Sequence, residues 1–329
     1  MGNKHKLLPW IYEHLNKLDF QTVLDGFSGS GVVSYLFKSM GKKVTSNDFL
    51  HFSHTISKAT CENSFVKLQK EDVEQILLNN PPERNFISKT FQDIFFTKKD
   101  LEFLDMAYAN ISNLNNPYKK ALGISCLLRA CIKKQPRGVF TVSGNLSNYN
   151  DGRRDLRLSL KEHFIEQVDV FNELIFDNRQ TSQSINSDIF ELNLSFKPDL
   201  VYLDPPYVPR SDDNCYVKRY HFLEGLSKYW EGETIMKDTK VKKIQKKYTP
   251  FSYRSKAIEA FDQMFKKFQD SIIVLSYSNN GFPDLTQLEI LLKKYKSEIS
   301  ILKKPHKYHF GNHSSVKRSN VEEYLIIGR

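Results

Sequence analysis

Asp204-Pro205-Pro206-Tyr207 places a carboxylate, a peptide carbonyl and an aromatic ring within four residues. The Asp204 carboxylate and the Pro205 carbonyl are both hydrogen-bond acceptors, and two acceptors converging on one point suit an amine with two hydrogens. The exocyclic amine of a purine is a poor nucleophile because its lone pair is delocalised into the ring. Hydrogen bonds to both acceptors favour a tetrahedral nitrogen with that pair available. Tyr207 offers a face on which a flat base can stack, and a base must leave a duplex to reach such a pocket. The bland alternative is a turn that only ends a strand.

A second constellation lies near the start, at Asp25-Gly26-Phe27-Ser28-Gly29-Ser30-Gly31. A short apolar run, Thr22-Val23-Leu24, precedes it, and a helical pattern from Val32 to Phe37 follows. Gly41 to Asp48 then reads as a turn, a strand and a terminal acid. Strand, glycine loop, helix, strand, acid is the mononucleotide-binding unit, in which the glycines let backbone approach a ligand and the acid holds a ribose. Gly29-x-Gly31-x-x-Ser34 lacks the third glycine of the dinucleotide fingerprint. A tight turn with no ligand, and a nicotinamide-dependent oxidoreductase built on the same unit, stay open at this point.

The elements that must position these residues follow from periodicity. Val201-Tyr202-Leu203 is an apolar run stopped by two prolines, which neither extend a strand nor enter a helix, so a buried strand must end at Asp204. In open α/β sheets ligands bind at that carboxyl edge. Leu7, Leu8, Ile11, Leu15 and Leu18 predict an amphipathic first helix, with Trp10 and Tyr12 beside them. From about 52 to 176 the pattern becomes mostly helical, with helices over His51–Leu68, Lys98–Leu114 and Pro117–Lys134, and a strand over Gln135–Val142. Helices over Ser255–Gln269 and Leu285–Lys296 flank a strand at Ile272–Leu275. Strands at Glu298–Leu302 and Glu323–Ile327 can form a closing hairpin with one antiparallel strand.

The fold expected is thus α/β, a Rossmann-like sheet, mostly parallel with one antiparallel strand near the C-terminus. Residues 1–51 and 180–329 are expected to form it, and 52–179 to form an inserted, mostly helical domain. In that insert Arg137, Asn148, Tyr149, Arg153 and Arg154 have the side chains that read base edges and phosphates, and Lys218, Arg219 and Tyr220 form a second basic and aromatic stretch. A solvated loop is the alternative reading.

Lys and Arg (48) outnumber Asp and Glu (38), a net charge of +10 that favours an acidic partner such as nucleic acid. Cys61, Cys126, Cys131 and Cys215 include no C-x-x-C pair, and no secretory signal is recognisable, so reduced thiols in a cytoplasmic protein are expected. No apolar run is long enough to span a bilayer, and Lys6 stands where a myristoylation signal needs Ser or Thr. His306, His309 and His313 lack a nearby Cys or acid cluster, so no metal site is expected.

Glycine loop, long insert and D-P-P-Y together resemble the alpha-class, Dam-like DNA adenine methyltransferases over nearly the whole chain. Asn3-Lys4-His5-Lys6-Leu7-Leu8-Pro9-Trp10-Ile11 is similar to the family's G-G-K-x-x-L-x-x-x-I cofactor segment, with Asn3 at the second glycine. Asp25-x-Phe27-x-Gly29-x-Gly31 matches its D-x-F-x-G-x-G motif, and Asp188-Ile189-Phe190 its D-x-F segment. The resemblance implies S-adenosylmethionine as cofactor, held by Lys4, Trp10, Asp25, Phe27, Ser28, Gly29, Gly31, Asp48, Asp188, Ile189, Phe190 and Asp204. Asp25 would meet its methionine part, Asp48 its ribose and Asp188 its adenine amine. Asp204, Pro205, Pro206 and Tyr207 would be catalytic and the insert would recognise the target. Ser276-Tyr277-Ser278-Asn279 falls where a later motif shapes the base pocket. Tyr220–Glu224 and Glu322–Ile326 look like the restriction-modification branch. Duplex DNA as substrate, a cognate restriction endonuclease as partner and a monomer are the corresponding expectations, and an RNA adenine methyltransferase is the nearest rival.

Overall fold

In the computed structural model the described residues are 4–79, 84–136, 138–141, 152–209, 216–308 and 319–329. The chain forms two compact units, one of Gly2–Phe49, Gln180–Tyr216 and Lys247–Arg329, the other of Leu50–Arg179 and Val217–Lys246.

The first unit is built on a sheet. Its described strands are β1 (Thr22–Asp25), β2 (Lys43–Asp48), β3 (Gln183–Asn186), β4 (Leu200–Leu203), β5 (Val208–Pro209), β6 (Ile272–Ser278), β7 (Gly281–Phe282), β8 (Ile299–Tyr308) and β9 (Ser319–Gly328). Seven of them pair in the order β3-β2-β1-β4-β6-β9-β8, while β5 and β7 form a separate small ladder. The pairings from β3 through β6 are parallel, and β9 is antiparallel to both β6 and β8. One strand therefore runs against the rest, as the hairpin pattern predicts. All four residues of β4 are buried because β1 and β6 flank it and side chains cover both faces, which is why its sequence is an unbroken apolar run. Phe261, Met264 and Phe265 of helix Arg254–Lys267 share its core with Val201, Leu203, Ile273 and Leu275.

The register places functional positions at one edge. Asp25, the last residue of β1, is level with Ser46 of β2 and Tyr202 of β4, so the loops after β1, β2 and β4 all leave the carboxyl side of the sheet. Because β9 runs the other way, its amino-terminal half reaches the same side, with Glu323 opposite Ser278 of β6.

The second unit is helical and held by aromatic packing. Phe91, Phe95, Phe96, Phe140, Phe222 and Trp230 are all buried. The Phe91 and Trp230 rings lie 4.8 Å apart, and Phe140 stacks on Phe222 at 5.0 Å. Gly225 makes this possible, since a Cβ there would fall 2.1 Å from Trp230 Cε2. Phe222 and Trp230 are the reason that Val217–Lys246 packs with the helices of Leu50–Arg179, although the sequence separates the two segments.

Two sequence expectations are corrected. The helix from His51 stops at Glu62, its last five residues π-helical, because Asn63 Oδ1 accepts from the N–H groups of Phe65 and Val66 and turns the chain. The described part of Gln135–Val142 is turn and bend rather than strand. Phe140 N–H donates to Arg219 O and its carbonyl accepts from His221 Nε2 at 2.8 Å, so its backbone groups are satisfied by a helix instead of a ladder. Among the described residues no helix is long and apolar enough to cross a membrane.

Candidate active site

The glycine loop folds over the end of β1 through local hydrogen bonds. Gly26 N–H donates to Tyr202 O (2.9 Å), Ser28 N–H to Asn47 O (2.9 Å) and Gly31 N–H to Ser28 O (2.7 Å). Gly29 and Gly31 have φ of 52° and 76°, a left-handed backbone that a side chain would strain, which is why glycine stands at both. Asp48, at the end of β2, accepts from Gly29 N–H at 2.7 Å and so clasps the loop. Asn47 Nδ2 ties the loop to the chain after β3 by donating to Gly26 O and Ser187 O.

Asp25 lies beneath this loop, 1% exposed. Ser34, which occupies the place of the missing third glycine, donates to Asp25 Oδ2 at 2.6 Å. Oδ1 is buried without a hydrogen bond of ordinary geometry among the described residues, although the backbone N–H of Phe27 also acts on the carboxyl. Burial raises the Asp25 carboxyl to about 7, with Ser34 opposing and the charges of Asp204 and Asp48 adding to the rise. An orphaned carboxylate oxygen under a glycine turn is suited to a cationic or N–H-bearing ligand group.

Asp204 emerges from β4 into the same edge. Lys4 Nζ, on the 3₁₀ turn before the first helix, lies 3.3 Å from Asp204 Oδ1 and 3.2 Å from Glu323 Oε2. Enclosure raises the Asp204 pKa above the usual carboxylate range; Lys4 opposes that rise and Glu323 reinforces it. Pro205 is buried, Pro206 and Tyr207 are half-buried, and the Tyr207 ring lies 5.1 Å from that of Tyr277, which is fully buried in β6. Asp204 and Tyr207 are thus supported by side chains from β6, β9 and the first turn.

Beyond β3, Asp188 Oδ1 accepts from Phe190 N–H at 2.8 Å, and Ile189 is buried in the sheet core. Phe190 stacks on Phe251 at 5.6 Å, while Phe27 meets Phe251 edge-on at the same distance. Lys267 Nζ fixes this turn by donating to the carbonyls of Phe190 and Leu192. Phe27 and Phe190 are the half-buried rings between the glycine loop and the Asp188 turn, and Phe251, 1% exposed, packs behind them.

The structure therefore brings together Asp25, Phe27, Ser28, Gly29, Gly31 and Asp48 around one loop, and Asp188, Ile189 and Phe190 beside it. Lys4 is placed against Asp204. Trp10 is buried, edge-on to His14, with Lys304 Nζ 5.7 Å above its ring. Sequence reasoning missed Ser34, Asn47, Phe251 and Glu323. Ser34 had a signal in its fingerprint position, and Glu323 in being an acid within the apolar run Val321–Ile327; Phe251 had none.

Of the residues expected on DNA, Arg137, Asn148 and Tyr149 lie outside the described residues, as do His309 and His313. Arg153 and Arg154 are exposed at the start of a short helix, Arg153 donating to Pro136 O and Arg154 gripping Glu166. Lys218 and Arg219 are exposed. Tyr220, only 5% exposed with its ring 6.0 Å from Phe52, serves the core of the helical unit, which removes it from the group offered to DNA. Pro136 O accepts from Arg153, and Phe140 N–H donates to Arg219 O.

A profile of D12 class N6 adenine-specific DNA methyltransferases matches residues 1–280. Type II methyltransferase M2.HphI of Haemophilus parahaemolyticus is 32% identical over 342 residues, covering all of this chain and 97% of that protein. Modification methylase StsI of Streptococcus sanguinis is 27% identical over all of this chain, and type II methyltransferase M.FokI of Planomicrobium okeanokoites is 26% identical over 99% of it. The chain spans about half the length of each of those two, 51% and 52%.

Proposed function

This chain belongs to the D12 class N6 adenine-specific DNA methyltransferases, and on that premise we propose that Asp204, Pro205 and Tyr207 receive an adenine turned out of duplex DNA. The observation that carries the reading is the placement of Asp204 at the carboxyl end of β4, on the same sheet edge as the glycine loop after β1. S-adenosylmethionine, when bound, supplies a methyl group already activated on a sulfonium, so the chemistry needs alignment more than a further catalyst.

The residues present fit that donor. Asp25 Oδ1 would take its ammonium, the left-handed turn at Gly29–Gly31 allows close backbone approach, and Phe27 and Phe190, backed by the buried Phe251, would hold its adenine. Asp48 would serve the ribose while it clasps Gly29, and Asp188 the adenine amine. Lys4 has its place beside Asp204, where it steadies a charge rather than holding the donor.

At the acceptor side, Asp204 and the Pro205 carbonyl each accept one N6 hydrogen, drawing the lone pair out of conjugation. Tyr207, backed by Tyr277, stacks on the base. As the new C–N bond forms the nitrogen must shed a proton, and Asp204, whose proton affinity enclosure raises, stands ready to receive it.

The helical unit, Leu50–Arg179 with Val217–Lys246, is proposed as the target-recognition domain, with Arg153, Lys218 and Arg219 on phosphates or base edges. A role in protecting host DNA beside a cognate endonuclease, as a cytoplasmic monomer, is proposed with it; the relatives named as type II methyltransferases support the methylating part of that role. Radiolabelled methyl transfer to duplex DNA and to RNA tests the reading, followed by mapping of the modified adenines. Label confined to RNA, or to cytosine, overturns it.

A further inference from the structure

Glu323 has no role in the scheme above, yet it is placed where a glutamate costs most. It is 0% exposed, in the interior of β9, between Ser278 of β6 and Lys304 of β8 in register. A buried carboxylate in a strand persists only if it is paired. The ammonium of Lys4 meets it at 3.2 Å, and the same ammonium lies 3.3 Å from Asp204. One cation thus bridges two acids, one from each side.

The two acids are not equivalent. Asp204 must keep its oxygens available to an incoming amine, and an ammonium committed to it alone would occupy an acceptor and neutralise the charge. Glu323, fixed by pairing on both sides of β9, gives Lys4 a second anchor that comes from rigid sheet rather than from a loop. The 3₁₀ turn Lys4–Leu7 that carries Lys4 has no comparable ladder to fix it.

We propose that Glu323 is a positioning residue for methyl transfer: it holds Lys4 at the flank of Asp204, sharing the ammonium so that an Asp204 oxygen stays available to accept from the adenine amine. The proposal rests on the reading of Asp204 given above. Charged and titratable groups around the pair are Lys4 from the first turn, Asp25 from β1, Tyr202 from β4, Tyr207 and, on β8, His306, which senses Lys6 and Lys304 as well as Lys4 and Glu323.

Glu323→Gln keeps the shape and removes the charge. In the full-length protein it lowers kcat by about 10- to 100-fold, because the acceptor is misplaced or masked, and leaves KM for S-adenosylmethionine and for duplex DNA within about threefold. The acidic limb of the kcat–pH profile moves to lower pH, since a negative charge that raises the proton affinity of Asp204 is gone while the Lys4 ammonium beside Asp204 remains. Glu323→Asp, which keeps the charge, restores part of kcat and returns the limb. In the double variant Lys4→Gln/Glu323→Gln no buried charge is left stranded between the two, so it folds even if Lys4→Gln does not, and its loss is smaller than the product of the single losses.

A Glu323→Gln enzyme with unchanged kcat and limb overturns the proposal. So does a uniform loss at every pH that Glu323→Asp does not relieve, which marks a merely structural residue, or a limb that follows His306→Gln instead. Asp204→Asn serves as the separate control: full activity there sinks the assignment of Asp204 itself, whereas an inactive Asp204→Asn beside an indifferent Glu323→Gln sinks only the role of Glu323.

Discussion

The carboxyl edge of the sheet and the surface of the helical unit handle charge in opposite ways. At the sheet edge the acids are buried, Asp204 only partly, and each is gripped: Asp25 by Ser34, Asp48 by Gly29 N–H, Asp204 and Glu323 by Lys4. On the helical unit Arg153, Lys218 and Arg219 are exposed. Enclosed groups hold a geometry and a proton affinity that solvent cannot average away, which is what bond making requires. Exposed cations are screened and mobile, which suits long-range attraction to phosphates and tolerates adjustment along a duplex. On the function proposed above, the contrast separates rate from recognition.

That separation can be broken at several points. The strongest is Asp204→Ala, expected to lower the methyl transfer rate by about a thousandfold while S-adenosylmethionine binding stays within a few-fold, measured by single-turnover transfer and by calorimetry. Retained transfer would show that the enclosed edge does not set the rate.

Asp25 gives the next effect. Its folded pKa of about 7 lies above its ordinary value of 3.8, so its contribution to stability is full below that lower value and is lost as pH rises through 7. Unfolding midpoints should fall between pH 5 and pH 8 by more in the parent than in Asp25→Asn. A cationic ligand group stabilises the carboxylate, so affinity for S-adenosylmethionine should fall by up to about tenfold per unit as pH drops below 7. Asp25→Asn should abolish that slope; a slope that survives points to another group.

Gly31→Ala introduces a Cβ at φ 76° and should destabilise the fold by about 1 kcal/mol, with a weaker grip on the cofactor, read from urea unfolding and from KM. The smallest effects belong to the exposed cations. Arg153→Ala, Lys218→Ala or Arg219→Ala should each weaken DNA binding by a few-fold and reduce the slope of log K against log salt by about 1, with kcat at saturating DNA unchanged. A loss in kcat equal to that of Asp204→Ala would erase the distinction between the regions.

Much of this was legible in the chain. The glycine loop, the two prolines after Leu203 and the apolar runs of β1, β4 and β6 announce a parallel sheet and its ligand edge, because backbone limits and burial on both faces act locally. The helical region was legible in outline, and Pro117–Lys134 was legible to the residue because Asn116 caps it and Pro117 opens it. Gln135–Val142 was misread as a strand, since nothing local tells Phe140 that its backbone partners are Arg219 and His221, about eighty positions on. Tyr220, expected among the residues offered to DNA, is buried beside Phe52, a neighbour that local sequence does not announce.

The sequence by itself determined the chemistry on offer, because Asp204-Pro205-Pro206-Tyr207 and Asp25–Gly31 carry their functional groups and backbone constraints within a few residues. Only the tertiary structure decided how those groups are poised. Lys4, Asp204 and Glu323 meet within 3.3 Å although they come from the two ends and the middle of the chain. Their proton affinities and orientations arise from enclosure and from one another, and neither is a property of a residue in isolation.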